Sequence, residues 1–269
     1  RTPFFRSYLC NDPGLVARVL SERPRDFPKS GRIGEGLRPL LGQSVFMTNG
    51  ETWERQRRII DPAFAGGRLH HAVPGIWAAA TAAAARMVPG RPDIAAPLSN
   101  DAADVIFSTL FSIPIEDVMA ARVYAAFQAY QRSQPLVNLA AFLPVPAWFP
   151  RLHRGTTRRA AREIRDLIGA LCAARARAIA DGSAPDDLTT KIMTTADPET
   201  SQTFTTAEMV DQVAIFFLAG HETSASALSW ALYLLAAHPD VQDGVAAEVA
   251  GLPDPPNMSD LSRLRLTRD

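Results

Sequence analysis

The sequence predicts a mainly α-helical fold, and three observations indicate it. Alanine, which has the highest intrinsic helix propensity, is abundant along the 269 residues. Hydrophobic residues make up 47% of the chain, enough for a substantial core. The apolar stretch 212–237, QVAIFFLAGHETSASALSWALYLLAA, is long enough for a helix of about seven turns. The pair Thr205 and Glu208 has the spacing of a capping box and is expected to start this central helix.

The middle of the predicted central helix contains residues that are unfavourable in a buried helix. Apolar residues run around nearly the whole circumference, which predicts a helix buried on all sides. Yet its middle contains Gly220, His221, Glu222 and Thr223. A glycine inside a helix costs about 0.5–1 kcal/mol relative to alanine, and a buried carboxylate costs several kcal/mol unless it is paired or neutralised. Such exceptions at one point of a core helix indicate a functional site.

Helical spacing suggests the shape of that site. One face carries Phe216, Ala219, Gly220, Thr223 and Ala227. The small side chains at 219 and 220 would let a large flat ligand lie against the backbone, with the Thr223 hydroxyl one turn further along. Glu222 is rotated about 100° away from that face. Alternatively, the small residues let a second helix cross, and Thr223 bonds back to the carbonyl four residues earlier.

Two elements nearer the N-terminus are predicted from local signals. An extended segment is expected over residues 1–9, followed by a helix over 13–21 with Asp12 as its N-cap and Pro13 in its first turn. A helix over 51–60 carries Trp53 and Arg57 at i and i+4, on one face. An indole donor and a guanidinium could there bind a carboxylate from two directions. The alternative is a solvated basic face with the tryptophan half buried.

Composition excludes several classes of protein. Basic and acidic residues balance at 28 each, so general nucleic-acid binding is not expected. Two cysteines do not form a disulfide framework, which favours a reduced, cytoplasmic setting. No uninterrupted apolar run reaches about 18 residues, so no membrane span is expected. The pair at 186–187 lacks further acids for a magnesium site, and HE at 221–222 lacks the second histidine of a zinc hydrolase.

Two motifs together resemble the cytochrome P450 family. AGHET at 219–223 is similar to the A/G-G-x-D/E-T signature of that family's long central helix, and LYLL at 232–235 followed by HP matches its flank. WERQRR at 53–58, followed by DPAF at 61–64, resembles the W-x-x-x-R helix and its P-A-F tail. The resemblance spans about residues 8–269. It implies a mainly α, cytochrome P450-like fold, truncated, with its small β portion mostly missing.

The resemblance also implies an organisation and a cofactor. Residues 1–269 would form part of one domain, with the haem-crossing helix at about 205–237 and the helix that binds the haem propionates at about 51–60. The cofactor would be haem b (iron protoporphyrin IX). Ala219 and Gly220 would line the haem, while Trp53 and Arg57 would bind its propionates. No metal ligand is expected within these residues.

The same resemblance implies oxygenase chemistry. The family inserts one oxygen atom from O₂ into a hydrophobic organic substrate, with electrons from a ferredoxin or a flavoprotein reductase. Thr223 and Glu222 would be the catalytic alcohol and acid that manage protons. Phe46 lies in the loop that covers the family's substrate pocket, so Phe46 and Phe216 are candidate substrate contacts. An ordinary anchoring role for Phe46 is an equal alternative.

Two family hallmarks do not occur in the sequence. The E-x-x-R helix and the F-x-x-G-x-x-x-C haem loop with its axial cysteine are expected beyond Asp269, and neither Cys10 nor Cys172 has the context of that loop. The 269 residues alone are therefore expected to be inactive, because the thiolate favours O–O cleavage. The alternative function is that of an all-helical, non-enzymatic ligand-binding domain or a pseudoenzyme.

Overall fold

A computed structural model describes residues 8–31, 34, 36–65, 73–87, 90, 94–133 and 155–268. Helices dominate these residues, and no strand occurs among them, which confirms the mainly α class. The predicted extended segment at 1–9 lies almost wholly outside the described residues. The α-helices are α1 Pro13–Ala17, α2 Arg38–Leu41, α3 Gly50–Phe64, α4 Val73–Arg86, α5 Ala95–Phe111, α6 Val118–Ser133, α7 Gly155–Ala180, α8 Leu188–Thr194, α9 Thr206–Ala237, α10 Pro239–Ala250 and α11 Arg265–Arg268.

The helix starts follow the local signals in the sequence. The Asp12 side chain accepts a hydrogen bond from the Leu15 amide and caps α1, which continues as a π-helical turn over Arg18–Glu22. Thr205 and Glu208 form the predicted capping box of α9, in which each side chain bonds to the other residue's backbone amide. These bonds satisfy amides that the first turn of a helix leaves without partners.

The core forms around the first half of α9. Helices α5 and α7 pack against this helix, and α2 contacts it near its start. Phe217, which is 2% exposed, lies with its ring centroid 4.3 Å from that of Phe127 and 5.0 Å from that of Phe107. His221 joins this aromatic cluster, 1% exposed, with its Nδ1 3.0 Å from the Phe217 carbonyl oxygen. The buried half of α9 therefore fixes the position of the residues that follow it.

The second half of α9 corrects the prediction of a helix buried on all sides. Trp230 and Tyr233 are 63% and 60% exposed, and Leu228 and Leu234 are about half exposed. Within the described residues, packing in this half centres on Ala225 and Leu232 against Leu98 and Ala102. An apolar circumference indicates that a helix can be buried but does not specify what covers it, which is why the sequence alone was misleading here.

Ion pairs fix α3 beside the start of α9. Arg55 Nη1 lies 2.6 Å from Glu208 Oε1, so the capping-box carboxylate also binds α3. Arg58 Nε lies 2.6 Å from Oδ1 of Asp197, whose side chain is fully buried. The hydrogen bond from Arg58 lowers the pKa of Asp197, and Thr200 adds a second bond. These contacts set the relative placement of the two helices that carry the predicted site.

Candidate functional site

An open cavity lies between one face of α3 and the middle of α9. Its volume is about 410 Å³, and its walls are formed by Val45, Arg57, Ile60, Asp61, Phe64, Ala65 and Phe216. The α3 residues recur at i, i+3, i+4 and i+7 from Arg57, which places them on one helical face. Phe64 and Phe216, which both line the cavity, contact each other edge to face with ring centroids 5.8 Å apart. The walls are mainly apolar, with one cation and one carboxylate on the α3 side.

Arg57 and Trp53 lie together at the polar side of this cavity, as their spacing predicts. The Arg57 guanidinium carbon is 5.9 Å from the centroid of the Trp53 ring, and its Nη2 is 2.9 Å from Asp61 Oδ1. Arg57 lines the cavity and Trp53 stands behind it, half buried. The Trp53 indole N–H makes no hydrogen bond with any part of the chain that the structure describes.

Lys29 is a third donor in this group that the sequence analysis did not identify. Its Nζ lies 5.4 Å from the centroid of the Trp53 ring, on which Arg57 also stacks. The ammonium donates to the carbonyl oxygens of Val45 at 2.6 Å and Thr48 at 3.0 Å. Burial, and then repulsion by Arg57, lowers the pKa of Lys29. No residue pattern in the loop around Lys29 indicates that this lysine approaches α3.

The glycine of the AGHET motif does not share the open face with its neighbours. A Cβ at Gly220 would lie 2.8 Å from Ile106 Cδ1, so this glycine permits close packing of α5 on α9. Ala219 and Thr223 are exposed, and the Thr223 hydroxyl donates to the Ala219 carbonyl oxygen at 2.5 Å. The packing of α5 against α9 therefore accounts for the glycine at 220. The hydrogen bond from Thr223 to the Ala219 carbonyl is the alternative role that helical spacing left open for Thr223. The candidate ligand surface on α9 consists of Phe216, Ala219 and Thr223.

Glu222 has a partner on a neighbouring helix. Its Oε2 accepts a hydrogen bond from Gln131 Nε2 at 2.7 Å, which links α9 to the end of α6. Both Glu222 and Thr223 are solvent-accessible in the described structure, so neither pays the desolvation penalty that the sequence suggested. Gln131 is 91 residues away in sequence, and no local pattern reveals the pairing. Gln131 therefore orients the carboxylate of Glu222, which immediately precedes the hydroxyl-bearing Thr223 in the sequence.

The predicted substrate contacts differ in their placement. Phe216 lines the cavity, whereas Phe46 is 45% exposed and does not. Val45, its neighbour in the same loop, faces the cavity instead. The structure therefore brings together Arg57, Trp53 and Phe216, and it separates Phe46 and Gly220 from that group.

Neither cysteine faces this cavity. Cys172 is fully buried in α7, where burial raises the pKa of its thiol to about 12, and Cys10 is exposed near the N-terminus. Asp187 caps α8 and pairs with Arg175 at 2.8 Å, so Asp187 has a structural role. No group of three or more metal-ligating His, Cys, Asp or Glu side chains occurs among the described residues. Within those same ranges, no helix has the length and apolarity that a bilayer crossing needs.

Comparison with known proteins gives a consistent match over nearly the whole chain. The cytochrome P450 family profile matches residues 6–269. The chain is 32% identical to cyclooctat-9-en-7-ol 5-monooxygenase from Streptomyces melanosporofaciens over 98% of its length, and 29% identical to pentalenene oxygenase from Streptomyces avermitilis over 97%. It spans 57% of the length of each of these relatives.

Solved structures show the same fold at lower identity. The retinoic acid-bound cyanobacterial CYP120A1 aligns with a TM-score of 0.71 and 21% identity, over 93% of this chain and 54% of that one. The haem domain of cytochrome P450DA aligns with a TM-score of 0.69 and 22% identity, over 88% of this chain and 52% of that one. At these identities the likeness concerns the fold alone.

Proposed function

The chain belongs to the cytochrome P450 family, and from that premise we propose that it forms part of a haem-dependent monooxygenase. The complete protein would activate O₂ and insert one oxygen atom into a hydrophobic organic substrate. Residues 1–269 would contribute the haem-crossing helix and the propionate-binding helix to a single haem domain. The observation that carries this proposal is the cavity lined by Arg57 of α3 and Phe216 of α9.

The residues around this cavity have the chemistry that haem b requires. Haem is a flat apolar ring with two carboxylates on one edge. The cavity offers apolar walls from Ile60, Phe64 and Phe216, with cationic and N–H donors on the α3 side. Among the described residues, Trp53 Nε1 has no hydrogen-bond partner, and the ion pair of Arg57 is with the exposed carboxylate of Asp61. A propionate could bind both donors without breaking a buried bond.

Each of these side chains would then have a distinct task. Haem, when bound, supplies the O₂ chemistry that amino-acid side chains cannot perform. Arg57 and Trp53 would bind the propionates, with Lys29 as a second cation nearby that lowers the cost of placing two carboxylates there. Val45 and Phe216 would exclude water and hold the apolar substrate.

Proton management would fall to two neighbouring residues of α9. Thr223 Oγ1 would hold a proton at the open face, and Glu222, oriented by Gln131, would exchange protons with solvent through its carboxylate. The back-bond to Ala219 fixes the rotamer of Thr223 and leaves the lone pairs of its oxygen available as acceptors.

The apolar walls of the cavity and the names of the relatives support a proposal for the class of substrate. The two Streptomyces proteins are named for cyclooctat-9-en-7-ol and pentalenene. We infer that this protein, too, oxidises a largely hydrocarbon molecule. Electrons would come from a ferredoxin or a flavoprotein reductase.

The axial thiolate would come from outside these 269 residues. Cys172 is buried in α7 and Cys10 is exposed, and neither lies at the cavity. We therefore infer that a polypeptide restricted to residues 1–269 does not catalyse oxygenation. Oxygenase turnover by that polypeptide alone would contradict this inference.

Haem titration of the full-length protein tests the proposal. The double variant Trp53→Phe/Arg57→Ala should weaken haem binding by about tenfold or more, because each lost hydrogen bond to a charged group is worth about 1.5–3 kcal/mol. The matched control is Arg122→Ala, which removes an exposed arginine from α6, away from the cavity. Unchanged haem affinity in the double variant would favour a binding module without haem at this site.

A further inference from the structure

The loop that carries Val45 to the cavity is held by side chains on both of its sides. This loop, residues 43–48, lies between α2 and α3 and is defined here as the cavity loop. A loop without regular structure leaves its amides and carbonyls in need of partners. The amides of Ser44, Met47 and Thr48 bond to backbone carbonyls of the loop or of Leu41. The amides and carbonyls of Gln43 and Val45 bond instead to side chains of α9, α3 and Lys29.

Two consecutive residues of α9 bind the loop backbone. Asp211 Oδ2 accepts a hydrogen bond from the Gln43 amide at 2.7 Å, and Gln212 Oε1 accepts one from the Val45 amide at 2.9 Å. Gln212 is fully buried and Asp211 is 7% exposed. Arg165 of α7 lies 2.7 Å from the other carboxylate oxygen of Asp211 and so fixes its orientation. Arg165 therefore orients the Asp211 acceptor, and the core encloses the side chain of Gln212.

The opposite side of the loop is bound by α3 and by Lys29. Gln56 Nε2 donates to the Gln43 carbonyl oxygen at 2.6 Å, and Gln56 Oε1 accepts from the Thr48 hydroxyl at 2.6 Å. Lys29 donates to the Val45 carbonyl oxygen. Both backbone polar groups of Val45 thus have side-chain partners. These bonds orient the backbone so that the isopropyl group faces the cavity.

The residue before the loop shows how close the approach is. Gly42 has a φ of +50°, in the region that favours glycine, and a Cβ there would overlap the Asp211 carboxylate. The loop can reach α9 only because this position has no side chain. Asp211 and Gln212 do not line the cavity. Their contacts therefore determine where the loop lies and do not form part of the cavity wall.

We propose that Asp211 and Gln212 are positioning residues that determine substrate selectivity by holding Val45 against the cavity. The selectivity claim rests on the proposed function, whereas the hold on the loop does not. A side chain that never touches the substrate would then decide how much space lies between Val45 and Phe216. Weakening this hold lets the cavity loop move away from α9 and widens the space available to bulky molecules.

The first measurement is amide hydrogen exchange of the cavity loop in the full-length protein. Gln212→Met keeps the length of the side chain and removes the acceptor for the Val45 amide. Exchange at Val45 should accelerate by about tenfold, the equivalent of one hydrogen bond. The control Gln242→Met makes the same change at an exposed position of α10 and should leave loop exchange unchanged. Unchanged exchange in Gln212→Met overturns the proposal.

The second measurement compares two haem-binding azoles of different size, imidazole and 4-phenylimidazole, by optical titration. In Gln212→Met the ratio of their dissociation constants should change by about fivefold, the factor for roughly 1 kcal/mol, with imidazole itself little affected. Faster loop exchange with an unchanged ratio would refute the selectivity claim. If the wild-type protein binds neither azole, the haem proposal fails, and loop exchange still decides whether α9 holds the loop.

A second variant keeps the test valid if Gln212→Met does not fold. Gly42→Ala replaces none of the cavity-lining residues and forces the loop away from Asp211. It should change loop exchange and the azole ratio in the same direction as Gln212→Met. A Gly42→Ala protein that folds with wild-type exchange and a wild-type ratio would overturn the proposal independently.

Discussion

The two halves of α9 have similar apolar composition and opposite surroundings. In the first half, Met209 and Phe217 are buried, and even Asp211 and Gln212 have partners inside the core. In the second half, large side chains such as Trp230 and Tyr233 are more than half exposed. The AGHET motif lies at the boundary between them. A buried half and an exposed half on one helix would hold the residues of the proposed site against the core and leave them accessible to a ligand.

The largest expected effect concerns stability in the buried half. Phe217→Ala should lower the free energy of unfolding of this chain by about 3–5 kcal/mol, because it leaves a cavity among three aromatic rings. Trp230→Ala, in the exposed half, should cost about 0.5 kcal/mol or less. Urea denaturation of both variants measures the difference. Equal losses would mean that the second half is packed as tightly as the first.

A smaller effect is expected at the boundary. Gly220→Ala should cost about 1–2 kcal/mol, since the new methyl group meets Ile106 and the gain in helix propensity only partly offsets the clash. Ile106→Val removes the nearest atom, Cδ1, so Gly220→Ala/Ile106→Val should recover most of that loss. A double-mutant cycle in urea isolates this coupling. Additive losses would show that Gly220 has a role other than the contact with α5.

A pH-dependent effect is expected where α3 is fixed beside the buried half. Because the hydrogen bond from Arg58 lowers the folded-state pKa of Asp197 below its ordinary value of 3.8, the pair stabilises the fold above that pH. This contribution is lost as the pH falls below 3.8 towards the folded-state pKa. Asp197→Asn should therefore be less stable than the wild type at pH 7, and the gap should narrow towards pH 3. Thermal unfolding across this range measures it, and a gap that widens on acidification would contradict the assignment.

The smallest effect on stability is expected for Gln131 and Glu222, the hydrogen-bonded pair at the AGHET motif. Gln131→Leu removes the partner of Glu222, but both groups have access to water, so stability should change by about 0.5 kcal/mol or less. In the full-length protein, the same variant should alter the pH dependence of turnover, because it frees the carboxylate that we propose as the proton carrier. A stability loss above about 1.5 kcal/mol would indicate that this pair belongs to the buried half instead.

Local chemistry in the sequence predicted much of the fold and part of the site. The cap at Asp12 was predicted from the adjacent pair Asp12 and Pro13, and the cap at Thr205 from Glu208 three positions further on. The contact of Trp53 with Arg57 was predicted from their spacing of one helical turn. Contacts between distant segments could not be predicted this way. Gln43 and Asp211 are separated by 168 residues, and their bond depends on how α2 packs against α9.

The same limit applies to the cavity loop and to the second half of α9. In the loop, bonds with Gln212 and Lys29 hold the backbone of Val45, which lines the cavity. The contact of Phe46 with substrate stays a prediction. The apolar second half of α9 resembled a core helix because burial depends on what packs against a surface as well as on its composition.

A crystal structure of the full-length protein with haem would show whether the cavity between α3 and α9 is the haem site. We expect a haem propionate within hydrogen-bond distance of Trp53 Nε1 and the Arg57 guanidinium, and the ring packed on Phe216 and Ala219. A cavity between Arg57 and Phe216 filled by protein side chains, with the Trp53 indole N–H bonded elsewhere, would contradict it.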